Sequence, residues 1–450
     1  MNARLIDIEQ SLDYKRWYPL ISHPVQDRLV TAVSRGVRFP VVPAGRRSGK
    51  TERAKRFLAK YAMNNKGVSL FIGAPTRDQV KKIYWKDMKR LCFTSMLDPS
   101  SVSESELSIK LPNGASITLI GLDKPERMEG IFWDGGVIDE IADVRENAWA
   151  ENISPALDTY NPEKPDYRAW CWLIGVPDGL NHYYDMAEYA GKSGDPLWEL
   201  FTWHSSDILP PDVIDAAKRR MSAKQFRQEY EASFETASGK IYDDYSKTNI
   251  TNVEIKPYEQ LMWMHDFNYT PMSSAVGVVR NKQDLYLLDE IILTSAIARQ
   301  SALEFVDRYK AHKNKSVIVY GDPAGKAGEK HGHASDYTEI EKVLKSSGWT
   351  MVRKVKPAAP AIRDRQNSVR AKIQNAAGQV SLFVNPSKAP YCHKGLSTVQ
   401  FKEGSTFLEE DSKFQHVTTA IGYCVDFEWP VRRDRDNSPF TPEPIEHHWN

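Results

Sequence analysis

Across the first half of the chain, short apolar runs at 37–42, 68–72, 116–119, 136–138 and 170–175 alternate with longer segments of helical or loop character. That alternation predicts a mostly parallel sheet with helices on its faces. Residues 51–62 read as a helix directly after the first run. Helical spacing returns at 211–221 and 222–233, where residues 223–230 place apolar and aromatic side chains three to four apart. Beyond Ser238-Gly239-Lys240, a plausible hinge, the texture changes. Apolar strands are predicted around 263–266, at 273–279 and 285–292 across a polar turn at 280–284, and at 316–320, with a helix near 297–311 between the last two.

Two strand-like runs joined by a short polar turn, followed by a helix and another strand, give the opening order of a ribonuclease-H-like sheet. The expected organisation is an α/β core at 1–205, a helical linker subdomain at 206–238, an RNase H-like domain at 239–430 and a tail at 431–450. At 450 residues, with 41% hydrophobic and 26% charged positions, the chain can build two or three well-cored domains. No run of 18 apolar residues occurs, and the first residues lack an apolar signal core, so neither a membrane span nor export is expected, and a cytoplasmic protein is. Cys92, Cys171, Cys392 and Cys424 are widely separated and read as packed, reduced thiols.

The chemistry begins where the first apolar run ends. Ala44-Gly45-Arg46-Arg47-Ser48-Gly49-Lys50-Thr51 stands between a strand and a helix, the order of a phosphate-binding loop. Backbone N–H groups and the positive end of the helix would take phosphate oxygens, Lys50 would reach the β/γ-phosphates, and the Thr51 hydroxyl would ligand Mg²⁺. Further on, the apolar run 136–138 ends in Asp139-Glu140. A buried strand would deliver Asp139 to Mg²⁺ through water and Glu140 to the attacking water. Arg46 and Arg47 are candidates for charge on the γ-phosphate. These features define a P-loop ATPase with a mostly parallel central sheet.

The net charge of +1 conceals two basic stretches, residues 46–60 and 353–372. The second contains Arg353, Lys354, Lys356, Arg363, Arg365, Arg370 and Lys372 against Asp364, and could neutralise duplex DNA phosphates without reading sequence. In the second half, Asp266 and Asp322 follow strand-like runs. Two-metal phosphodiester cleavage requires carboxylates from different strands to converge, which makes both candidate metal ligands. Asp289 and Glu290 are weaker candidates.

With these residues in view, the chain resembles the large terminase subunit of tailed bacteriophages, an ATP-driven DNA-packaging motor joined to a nuclease. Gln26 matches the family's adenine-sensing Gln. Ala74-Pro75-Thr76-Arg77, with Gln79 and Trp85, is similar to its second ATPase motif. The stretch 226–242, with Gln228-Glu229-Tyr230 and Gly239-Lys240-Ile241-Tyr242, is similar to its junction of motor and nuclease. The resemblance implies ATP with Mg²⁺ in the motor and two Mg²⁺ or Mn²⁺ in the nuclease. It also implies duplex DNA as substrate, the portal protein and the small terminase subunit as partners, and a five-membered ring on the portal formed from a protein that can be monomeric in solution. The place of action would be the host cytoplasm, transiently on the procapsid.

Three positions depart from the family pattern. Val176 stands where a Ser or Thr hydroxyl usually senses the γ-phosphate, leaving Asp178, the Ser205-Ser206 pair or backbone shape to substitute. Glu129 precedes Gly130 where an Arg is common, and Arg127 is the candidate finger toward a neighbouring subunit. In His416-Val417-Thr418-Thr419, Thr419 occupies the place of the third acidic ligand, with His416 as its possible replacement; Asp411 and Asp426 are also nearby in sequence. A rival reading therefore keeps the DNA-translocating ATPase and makes the RNase H-like domain a module that binds DNA without cutting it.

Overall fold

The computed structural model describes residues 17, 19–158, 160, 162, 167–235, 239–267, 272–326, 335–402, 405 and 407–431. The expected tail lies outside them apart from Val431, as does Ser238 of the expected hinge. The described chain divides into two compact units. One runs to Ile214 and resumes over Arg227–Glu235; the other comprises Asp215–Phe226 and the described residues from 239 onward.

The first unit is built on an eight-stranded sheet. Its strands are β1 (Phe39–Pro43), β2 (Ser69–Ala74), β3 (Val102–Ser103), β4 (Ser108–Lys110), β5 (Ser116–Gly121), β6 (Gly135–Asp139), β7 (Trp170–Gly175) and β8 (Trp198–Leu200). They lie in the order β3-β4-β5-β2-β6-β7-β1-β8. Strands β5, β2, β6, β7, β1 and β8 are parallel; β3 and β4 add a short antiparallel edge. All five apolar runs became strands, because a parallel strand covered on both faces has no polar side to alternate with. Val42, Ile72, Val137, Trp172 and Ile174 pack on one face, where the helix α1 (Pro24–Val30) and the long helix α2 (Lys50–Asn64) contribute Leu29, Ala54 and Leu58. Val41, Phe71, Ile138, Cys171 and Leu173 pack on the other, where α3 (His182–Lys192) supplies Tyr183 and Met186. Two further helices follow, α4 (Pro211–Arg220) and α5 (Ala223–Tyr230), where helical spacing predicted them.

In the second unit β9 (Leu261–Asp266), β10 (Met272–Arg280), β11 (Asp284–Leu293), β12 (Ser316–Gly321), β13 (Thr350–Arg353) and β14 (Leu382–Val384) form one mixed sheet, ordered β13-β12-β9-β10-β11-β14. Strands β9, β10 and β11 form an antiparallel meander, and β12 then returns parallel to β9. This is the RNase H-like arrangement. Helices α6 (Ala298–Arg308) and α7 (Asp336–Ser346) bury Phe305 and Ile340 on one face with Trp263 and Val319. Helices α8 (Ile362–Ile373), α9 (Pro390–Thr398) and α10 (Gln415–Glu428) bury Val369, Cys392 and Ile421 on the other, with Met262, Met264 and Tyr320. No helix among the described residues is long and apolar enough to cross a membrane. All four cysteines are buried and unbonded.

Candidate functional site

The phosphate loop joins β1 to α2, as its flanking pattern predicts. Gly49 and Arg47 take left-handed backbone angles, φ 87° and 57°. Gly45 is dictated by crowding: a Cβ there would stand 2.3 Å from Ser205 Oγ and 2.5 Å from the Tyr230 carbonyl oxygen. The loop is braced from outside its own sequence. Gln26 Nε2 and Trp203 Nε1 both donate to the Ser48 carbonyl, at 2.8 and 3.0 Å. Gly45 N–H donates to the Trp203 carbonyl, and Ser205 Oγ donates to that of Arg46 at 2.7 Å. Gln26 Oε1 accepts from Arg53 Nε at 2.8 Å, so in this structure the side-chain amide expected to sense a base holds the loop.

Beneath the loop, Thr51 Oγ1 lies 2.9 Å from Asp139 Oδ2, and Lys50 at the start of α2 is buried. The same Asp139 oxygen accepts the Tyr84 hydroxyl at 2.8 Å. Tyr84 sits in a single π-helical turn, Lys81–Trp85, a local irregularity that often marks functional positions. Glu140 follows with φ 54°, a strained angle for a non-glycine residue. Burial raises its carboxyl above the ordinary range; Lys50 opposes that, Asp139 adds to it and Arg46 opposes it. The backbone N–H of Val176 points at Glu140 Oε2 across 3.5 Å. Of the substitutes for the missing hydroxyl, Ser205 thus reaches the loop and the backbone at 176 reaches Glu140, while Asp178 accepts from Gln228. Arg127 is exposed in the helical turn Pro125–Met128.

In the second unit, parallel register pairs Tyr320 with Met264 and Gly321 with His265, so Asp322 follows beside Asp266 at the ends of neighbouring strands. Neighbouring strands stand about 4.8 Å apart. Alternation puts Met262, Met264 and Asp266 on the face covered by α10, together with Tyr320 and Asp322. On that helix His416, Thr419 and Tyr423 recur at helical spacing. His416 Nδ1 lies 3.1 Å from Asp266 Oδ2, and Asp322 Oδ1 accepts the Ala324 N–H at 2.8 Å. The hydrogen bond to Asp266 raises the His416 imidazole above its ordinary value, against the effect of burial.

Thr419 has neighbours that its sequence position did not announce. Arg365 Nη2 lies 3.4 Å from its hydroxyl and 3.5 Å from the Glu409 carboxylate, and Thr419 Oγ1 is itself 3.5 Å from Glu409 Oε2. Arg365 reaches this point by lying across Gly422, where a Cβ would stand 2.6 Å from Arg365 Cγ. A guanidinium and a displaced carboxylate therefore flank the position of the missing acid. Among the described residues, no three His, Cys, Asp or Glu side chains converge as a ligand set. Asp266 and Asp322 offer carboxylates for one divalent cation. A second would meet Thr419 and a carboxylate already held by Arg365.

In the basic run of 353–372, three of the seven expected DNA-facing cations require correction. Arg365, Arg370 and Lys372 are buried in α8. Arg370 Nε donates to the Ile241 carbonyl at 2.6 Å, and the Lys372 ammonium donates to that of Gln283 at 2.5 Å and lies 3.8 Å from the Trp429 ring centroid. Lys354 pairs with Glu428, and Lys356 with the buried Asp426. Arg353 lies over the Tyr337 ring and Arg363 over Phe407. Net sequence charge could not distinguish such internal partners from a phosphate-facing stripe. Asp289 and Glu290 also have internal work: Asp289 pairs with Arg308, and Glu290 accepts the Tyr391 and Cys392 N–H groups at the start of α9. Sequence reasoning missed Tyr84, Glu229, Glu409 and Tyr423 as members of these sites. Glu229, within Gln228-Glu229-Tyr230, and Tyr423, in the Gly422-Tyr423 that follows Thr419, stood in phrases that could have flagged them.

The first unit has the strand, loop and helix of a P-loop fold with an Asp-Glu pair at a neighbouring strand end, and the second is an RNase H-like domain. Residues 42–245 match the family described as terminase large subunit, T4likevirus-type, N-terminal, so the chain is similar over that region to large terminase subunits of phages. The large terminase subunit of Escherichia phage T5 is 27% identical over 213 residues, 46% of this chain and 47% of that one. That of Thermus phage G20c is 23% identical over 248 residues, 48% of this chain and 49% of its own. The chain thus aligns with about half the length of the curated relatives it matches. A solved large terminase from a thermophilic bacteriophage shares the fold with a TM-score of 0.58 at 15% identity, covering 91% of this chain and 99% of that one. The same phage protein has also been solved with ADP and with ATP-gamma-S.

Proposed function

We propose that this protein is the motor subunit of a phage DNA-packaging machine, hydrolysing ATP to drive duplex DNA into a procapsid and cutting concatemeric DNA with its second domain. The observation that carries the motor reading is the convergence of Thr51 and Asp139 at 2.9 Å beneath a braced loop bearing Lys50. Loop amides 45–51 and Lys50 bind the β/γ-phosphates, and Arg46 neutralises charge on the γ-phosphate. Glu140, its carboxyl raised by burial, orients the attacking water. Thr51 and Asp139 are the residues that would hold Mg²⁺, which neutralises phosphate charge when bound. The nucleotide complexes of the related phage protein support ATP as the ligand.

The cutting reading rests on Asp266 and Asp322 at adjacent strand ends. They would hold Mg²⁺ or Mn²⁺, whose chemistry is activation of water toward a phosphodiester. His416 orients Asp266 by direct contact. The partners in this reading are duplex DNA, the portal protein, the small terminase subunit and further copies of the chain in a five-membered ring, acting in the host cytoplasm. The pair Arg365–Glu409 at Thr419 favours the second reading, a translocase whose RNase H-like domain binds without cutting. Two assays decide. Lys50→Ala should reduce DNA-stimulated ATP turnover at least about a hundredfold while leaving plasmid nicking intact. Nicking that Mn²⁺ never elicits would leave the binding module; unchanged ATP turnover in Lys50→Ala would remove the motor.

A further inference from the structure

Arg46 in the phosphate loop does not stand alone at the nucleotide site. Its Nε donates to Glu229 Oε2 at 2.5 Å, and its backbone N–H donates to the Glu229 carbonyl at 2.6 Å. Glu229 comes from the last turn of α5, 183 residues further along the chain, and its side chain is only 3% exposed. The next residue, Tyr230, presses its carbonyl oxygen on Gly45 so closely that no side chain fits there. One helix end therefore fixes both the backbone and the side chain of the residue assigned above to the γ-phosphate. Burial works against the charge on Arg46, and Glu229, then Glu140, hold it. A guanidinium has five N–H donors in a rigid planar fork. Holding Nε through Glu229 fixes the plane of the fork and so aims its remaining edge.

We infer that Glu229 is a positioning residue for ATP hydrolysis: its buried carboxylate and its carbonyl hold Arg46 in one orientation for the γ-phosphate. This rests on the motor reading above. Misplacement of a charge-stabilising group lowers turnover more than ground-state affinity. In the full-length protein with DNA, Glu229→Gln should lower kcat roughly tenfold or more with KM for ATP within about twofold, and Glu229→Asp should recover part of the loss. The Arg46→Gln, Glu229→Gln double variant should be no slower than Arg46→Gln alone, because the two residues act as a unit. A merely architectural Glu229 predicts a lower melting temperature and losses that multiply in the double variant. Multiplied losses, or a Glu229→Gln kcat within twofold of the parent, would overturn the assignment while leaving the motor reading intact. A parent protein that turns over no ATP would overturn both.

Discussion

The two candidate sites are built in opposite ways. At the phosphate loop, the chemical groups are contiguous in sequence and the rest of the unit serves to brace them: Trp203, Ser205 and Glu229 all bond to loop residues. At the acidic site, two strand ends supply Asp266 and Asp322, and one late helix supplies His416, Thr419 and Tyr423; Asp266 contacts His416, Asp322 accepts the Ala324 N–H, and Arg365 pairs with Glu409. A loop that wraps a ligand can be written as a phrase. A site assembled across strands is defined by register and by what α10 brings over it, so one changed letter, Thr419, leaves its chemistry undetermined until the neighbours are seen.

The largest expected effect separating the two sites concerns divalent cations. If Asp266 and Asp322 hold one ion while Arg365 supplies the positive charge near Thr419, Mn²⁺ titration followed by electron paramagnetic resonance, with nucleotide absent, should give one site in the second unit. Asp266→Asn should abolish both that site and plasmid nicking, and leave ATP turnover unchanged. Two ions lost together would restore the two-metal expectation and make Arg365 a bystander. Cutting that persists in Asp266→Asn would remove this carboxylate from the chemistry.

Next in size is the cost of disturbing the charge balance around Thr419. Arg365 and Glu409 have side chains 8% and 3% exposed. Removing one member of such a pair leaves an uncompensated buried charge, typically about 3–5 kcal/mol of destabilisation. Arg365→Met should therefore lower the unfolding midpoint of the second unit markedly, whereas Arg363→Met, on the same helix, should not. Arg365→Met combined with Glu409→Leu should recover most of the loss. Equal midpoints for Arg365→Met and Arg363→Met would return Arg365 to the list of surface cations.

How much of this was legible in the sequence follows from the same contrast. Most of the parallel sheet of the first unit could be read because β1, β2, β6 and β7 are buried on both faces and so appear as apolar runs; the short edge strands β3, β4 and β8 left no such trace. In the second unit the meander and β12 were legible, while β13 and β14 are too short to rise above their surroundings. Among candidate site residues, Lys50, Thr51, Asp139 and Glu140 could be placed because a strand end and a helix start fix their geometry locally. Tyr84 could not, and Glu229 could be noticed in its phrase but not placed, since each meets the site through a contact with a residue far along the chain. The basic segment misled for a physical reason: α8 sits against α10, and most of its cations face carbonyls, carboxylates and rings of its own domain instead of solvent.

The smallest expected effect concerns pH and should touch only the second unit. His265 is fully buried between Trp263 and Phe267, with ring centroids at 4.1 and 5.0 Å, and neither ring nitrogen has a hydrogen-bond partner. Burial drives its imidazole down to about 3. An unfolded histidine protonates near pH 6.5, so between these values the unfolded chain binds the additional proton and stability falls as the solution is acidified. The slope is about 1.4 kcal/mol per pH unit below 6.5, and therefore about 2 kcal/mol by pH 5. His265→Phe keeps the stacked ring and removes the proton acceptor. Its unfolding midpoint should match the parent at pH 7.5 or exceed it, and should fall less than the parent's on moving to pH 5. Identical pH dependence in the two proteins would mean that the imidazole is hydrated or partnered in solution, and that the second unit owes its acid sensitivity to other groups.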